Sequence, residues 1–254
     1  MKSLSRPQTP VRTLPAWTCA ALAGFVAPAL AMLMLADPAR PASLISVGGP
    51  ILAIGLMGVA MIAAAAAGRM WIGVALALLT GFGLILWART LGLPPLPHPF
   101  ATGFAVVIAS ISFAARGALF AKSASDKGWL IAVFVVAGEA AILFTAAAVP
   151  DALPDWLLAL LPAQWASTAI QTELTFAVPG TGTGTYAATS ALFALAGTAA
   201  ATLLVVRLWP RRWPYLIMFT AWLALSALVW HRPAPPMPSA ELAFAVPGVC
   251  RISG

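Results

Sequence analysis

The chain has 254 residues, 61% of them hydrophobic and only 8% charged, where a soluble domain carries about 25% charge. That much apolar surface excludes a water-soluble globular fold and makes the bilayer the solvent. The net charge of +7 comes from Lys and Arg scattered singly between apolar runs, the pattern of orienting loop charges rather than of a nucleic-acid surface.

Residues 1–13 are polar and basic (Lys2, Arg6, Arg12) and contain Pro7 and Pro10, so they read as a cytoplasmic tail. The run from about Leu14 to Ala36 exceeds a signal-peptide h-region, typically about 7–15 residues. It reads as a first membrane helix, bent near Pro28. A short loop with Pro38 and Pro41 leads to a second helix, about Leu44 to Ala67. Gly48, Gly49, Pro50, Gly55 and Gly58 give it the small-residue surface that lets helices approach closely in lipid. The third helix runs from about Trp71 to Trp87, then Arg89 and the Pro-rich turn LPPLPHP follow. The fourth runs from about Phe100 to Phe113 or somewhat beyond and passes into a charged loop carrying Arg116, Lys122, Asp126 and Lys127.

The fifth run, Trp129 to Val149, holds Glu139 at its middle, the only acidic residue inside any apolar run. A carboxylate near the midplane is costly unless protonated, paired or facing water. It is therefore a candidate proton, cation or substrate-path site. The competing reading is a protonated Glu bonded to a Ser or Thr of a neighbouring helix, or a helix–helix contact.

From Pro150 to Tyr186 the chain has no Lys or Arg. Leu157, Leu161, Trp165 and Ala169 recur at four-residue spacing, and Pro162 should divide the stretch into two short helices. Such a segment is too short to span and is expected to lie in the interface or to dip in as a re-entrant hairpin. GTGTGT at 180–185 reads as a flexible loop and not a phosphate loop, because no Gly-Lys-Ser/Thr pattern occurs. The sixth helix is expected over about Ala187 to Val206 and the seventh over about Trp213 to Trp230. Beyond His231 the chain is Pro-rich and reads as an extracytoplasmic tail. The expected organisation is thus a tail (1–13), a seven-helix all-α membrane domain (14–231) and a second tail (232–254).

Seven spans put the termini on opposite sides. With the N-terminus cytoplasmic, the inner segments hold Lys2, Arg6, Arg12, Arg69, Arg116, Lys122, Lys127, Arg207, Arg211 and Arg212. The outer ones hold Arg40, Arg89, Arg232 and Arg251. That asymmetry obeys the positive-inside rule, and tryptophans at span ends fit an aromatic belt. The expected location is the cell inner membrane, in contact with the lipid bilayer.

Catalytic and cofactor signals are sparse. Cys19 and Cys250 lie too far apart to imply a disulfide framework. His98 and His231 read as polar caps rather than metal or haem ligands, so no metal and no cofactor is expected. HExxH, GxSxG and Asp-x-x-Asp motifs are missing, and no span offers a Schiff-base lysine. An enzyme is the weaker reading.

Pro154, Trp156, Leu157, Leu161, Pro162, Trp165 and Ala169 are expected to give a broken hairpin on the outer side between the fifth and sixth helices, and the sixth helix then ends at Arg207. In this the chain resembles the permease subunits of ABC-2-type exporters. The resemblance implies a separate ATPase subunit, because this chain has no Walker motif, and a pathway built with a second permease copy. It also implies an ATPase docking loop at Arg116, Lys122, Asp126 and Lys127. The family usually has six spans and begins with an amphipathic helix, and residues 1–13 do not supply one. Two rival readings stand beside it: a non-transporting scaffold or assembly subunit of a membrane complex, and a secondary transporter using Glu139.

Overall fold

The computed structural model describes residues 14–36, 41–93, 96–149, 153–174, 182–209 and 213–230. The two expected tails, His231 and Cys250 lie outside them. The described residues form nine α-helices: α1 (Leu14–Leu35), α2 (Pro41–Ala67), α3 (Met70–Thr90), α4 (Pro99–Ala124), α5 (Gly128–Ala148), α6 (Asp155–Ala159), α7 (Pro162–Leu174), α8 (Gly182–Leu208) and α9 (Trp213–Trp230). Six of them, α1 to α5 and α8, are long and apolar enough to cross a bilayer. The protein is an all-α, multi-pass membrane bundle. The seventh expected run forms α9, 18 residues long, which is not among those six.

Large apolar side chains point outward from nearly every span, among them Met34, Leu79, Phe104, Phe134 and Phe193. In water such a surface would aggregate; in lipid it is the solvated face. The long helices alternate in direction. One end of the bundle therefore carries exposed Arg69, Lys122, Lys127 and Arg207, here the basic end. The other carries α6 and α7, here the hairpin end.

Helix α2 is the axis. Within the bundle 83% of its span is buried, against 22% for α1 and 17% for α5. It packs on α1, α3, α4, α5 and α7. Its run of Ala, Gly and Met makes this possible, since small side chains let several backbones approach at once. Gly117 of α4 shows how tight the fit is. A Cβ there would collide with the Met61 carbonyl and lie 2.9 Å from Ala64 Cβ. At Gly103, also in α4, nothing lies within 4 Å. Gly117→Ala is therefore expected to lower the melting temperature in detergent, by overpacking worth about 1–3 kcal/mol. Gly103→Ala should be neutral or stabilising, because Ala favours helix by about 1 kcal/mol over Gly. A melting series of the two variants checks the sign.

Three expectations change. The charged loop after Phe113 is helix: α4 runs on to Ala124, and only a 3-10 turn (Ser125–Lys127) separates it from α5. Residues 182–185 of the GTGTGT run are the first turn of α8 rather than loop, because extending a formed helix gains one hydrogen bond per residue and outweighs weak propensity. The Leu157–Leu161–Trp165–Ala169 face is not continuous. Trp165 and Ala169 are buried in the bundle, whereas Leu157 and Leu161 are only half-buried on the other side of the break. The bend expected at Pro28 is prepared by a π-helical turn over Leu22–Val26, which widens the helix ahead of a ring that would clash with the carbonyl four residues back.

Candidate functional site

The site is built where the α6–α7 hairpin meets α5. The descending arm is α6; Leu160 and Leu161 make the turn, and Pro162 opens α7. Proline suits that first helical position because its missing N–H would have no intrahelical partner. The next three donors are all satisfied. Gln164 N and Trp165 N donate to the Leu161 carbonyl at 3.0 and 3.3 Å. Ala163 N donates to Glu139 Oε2 at 3.0 Å. Trp165 Nε1 donates back to the Ala159 carbonyl at 2.8 Å, locking the two arms together.

Glu139 therefore acts as an N-cap supplied by another helix. A carboxylate at a helix N-terminus meets unpaired N–H groups and the positive end of the helix dipole. Neither of the two structural partners expected from sequence, a Ser or a Thr, is the one found: the donor is main chain. Glu139 lies 11 residues after the first residue of α5, Gly128, and 9 before the last, Ala148, so the hairpin turn reaches the middle of the bundle. At its far end α7 is pinned by Gln171, whose Oε1 accepts from Gly49 N at 2.7 Å, next to Pro50 in the interior of α2. Ala163, Trp165, Ala166, Ala169 and Ile170 are all fully or almost fully buried. The hairpin is thus re-entrant within the bundle, wedged against α2, α4 and α8.

A second charge stands close by. Arg116 lies inside α4, two turns before its end, and interacts electrostatically with Glu139. Its Nη2 donates to Thr198 Oγ1 of α8 at 3.1 Å, and its guanidinium carbon lies 5.7 Å from the Phe113 ring centroid. Among the described residues its Nη1 is enclosed without a hydrogen-bond partner, and so is Ser112 Oγ one turn earlier. Thr198 Oγ1 also donates to the carbonyls of Ala194 and Leu195, and Thr202 Oγ1 donates to the Thr198 carbonyl. A polar layer of Ser112, Arg116, Glu139, Thr198 and Thr202 thus crosses the apolar bundle. Such a layer can hold a proton or a polar group of a solute at that depth.

This corrects the sequence reading of Arg116 as a docking-loop residue. The five residues after it, Gly117 to Ala121, carry no charge, so the apolar run resumes beyond Arg116. That signal would have placed it in the span. Lys122, Asp126 and Lys127 are exposed at the basic end, where Lys122 Nζ donates to the Val206 carbonyl at 2.6 Å and ties α4 to the last turn of α8. Of the other hairpin residues, Pro162 is buried, and Pro154 and Trp156 are exposed at the hairpin end. Trp156 borders a notch against Leu223, Ser226 and Trp230 of α9. His98 is exposed, with its carbonyl accepting from Thr102 N at the start of α4. Among the described residues no three His, Cys, Asp or Glu side chains cluster as a metal site would need.

No family model, curated protein or solved structure matches this chain.

Proposed function

We propose that the chain is the membrane-spanning permease subunit of an ABC-type exporter, energised by a separate ATPase subunit. In this reading it lies in the cell inner membrane with its N-terminus in the cytoplasm. The observation that carries it is the re-entrant hairpin between the fifth and sixth spans, held at mid-depth by Glu139. A broken hairpin in that place is the feature the chain shares with ABC-2-type permeases. The basic end then faces the cytoplasm, as the positive-inside rule requires.

The coupling follows from the fold. An ATPase docked at exposed Lys122, Asp126 and Lys127 would act on the α4–α5 junction. Through Lys122 it would also act on the end of α8. Those are the helices that carry Arg116, Glu139 and Thr198. Relative movement of α4, α5 and α8 would break the polar layer and release the hairpin turn.

Purification of the tagged chain from its native membrane tests this. The expected result is a co-purifying subunit with a Walker motif and ATP hydrolysis. A Lys122→Glu, Lys127→Glu double substitution should reduce both at least fivefold. Association with other membrane subunits only, and no ATP hydrolysis, would identify a scaffold instead. A specific observation favours one second reading: the Glu139 carboxylate held at mid-depth of a span fits a secondary transporter that loads a proton on it. Solute uptake driven by a proton gradient without ATP would favour it.

A further inference from the structure

Helices α1 and α5 both lean on α2 and barely touch each other. Between them is a cavity of about 480 Å³ with an apolar lining. The sequence makes the trough. Ala23, Ala27 and Ala31 recur every four residues along α1 and leave one side of it nearly flat. Val133, Ala137 and Phe144 of α5 form the opposite wall. The π turn and Pro28 lie in the same stretch of α1. On the α2 side the wall is closed by a very close helix crossing, where a Cβ on Gly24 would lie 2.5 Å from Val59 Cβ.

We infer that this cavity is a binding slot for one acyl chain of a bilayer phospholipid. Three features identify the occupant. The slot lies between the two least buried of the six spans, so it is continuous with the surface that contacts lipid. Apart from the weakly hydrogen-bonding thiol of Cys19 its lining is apolar and carries no charge, which disfavours a polar ligand. From Val133 to Phe144 it extends roughly 16 Å along α5 at about 1.5 Å per residue, centred near the depth of Glu139 in a hydrocarbon core about 30 Å thick. At that depth acyl chains, and not headgroups, are at hand to fill it. A dry slot of this size in lipid would forfeit the dispersion contacts of its whole lining, and an acyl chain restores them. The inference does not depend on the exporter reading, since a scaffold would hold the same chain.

The test is photolabelling of the full chain in phosphatidylethanolamine vesicles containing a phosphatidylethanolamine with a diazirine half-way along one acyl chain. Labelled positions are mapped by peptide mass spectrometry. The expected result is labelling within 23–31 and 133–144 at least fivefold above Leu79 and Phe193, which face bulk lipid. Ala27→Trp, which fills the slot, should cut the excess at least threefold and leave Leu79 and Phe193 unchanged. Ala137→Phe serves the same purpose by a smaller change if the first variant fails to fold. Equal labelling at all four places would overturn the inference, because the slot would then be ordinary lipid-facing surface. So would an absence of label in the slot, as expected if a second copy of the chain covers it.

Discussion

A Glu139→Ala chain is expected to melt at a clearly lower temperature in detergent than the parent, with a loss of about 2–4 kcal/mol. Two effects add. Ala163 N, on a fully buried residue, loses its acceptor, and Arg116 loses the opposite charge that interacts with it. Glu139→Gln separates them. The amide oxygen can still accept from Ala163 N, so the hairpin stays capped and only the charge is lost. Gln should therefore recover at least half of the stability lost in Ala. Differential scanning fluorimetry on the two purified variants reads this directly. Activity of the Gln variant then addresses function: unchanged transport would make Glu139 a cap alone, and lost transport in a folded protein would make its charge part of the path.

The second large effect is expected at Arg116. Arg116→Met keeps much of the side-chain length and removes the charge, leaving Glu139 without compensation and Thr198 without its donor. Breaking one side of a buried charge interaction typically costs about 3–5 kcal/mol, whereas replacing both members can be neutral. The interaction here is not a direct ion pair, so about 2–3 kcal/mol is expected for the single variant. Adding Glu139→Gln should restore part of it. The double-mutant cycle should then give a coupling of about 1–2 kcal/mol, inside the roughly 0.5–3 kcal/mol found for residues sharing one polar network. Strict additivity would show that Arg116 is held by Thr198 and Phe113 alone.

Much of this architecture was legible from residues alone. Uninterrupted apolar length marked the spans, Pro162 marked the break in the hairpin, and Glu139 stood out as a lone acid in greasy sequence. What was not legible depends on contacts between distant segments. The cap on Glu139 comes from Ala163, 24 residues away, and a main-chain donor leaves no mark in sequence. Arg116 was assigned to a loop because a charge after an apolar run ordinarily ends it. The uncharged residues after it mark its place in the span, but its partner Thr198, 82 residues on, is not marked in sequence. The Gly-Thr start of α8 was likewise masked by local propensity, a weak term beside propagation of a formed helix.

The central claim is that the α6–α7 hairpin enters the bundle from one end and stops at Glu139. Single cysteines placed in a Cys19→Ser, Cys250→Ser background and exposed to a membrane-impermeant maleimide in sealed vesicles test it most directly. The account predicts that Trp156→Cys labels from one side and Lys127→Cys only from the opposite side, while Ala163→Cys, Ala166→Cys and Ile170→Cys stay protected from both. Labelling of the 163–170 positions as fast as position 156, or reaction of 156 and 127 from the same face, would contradict it.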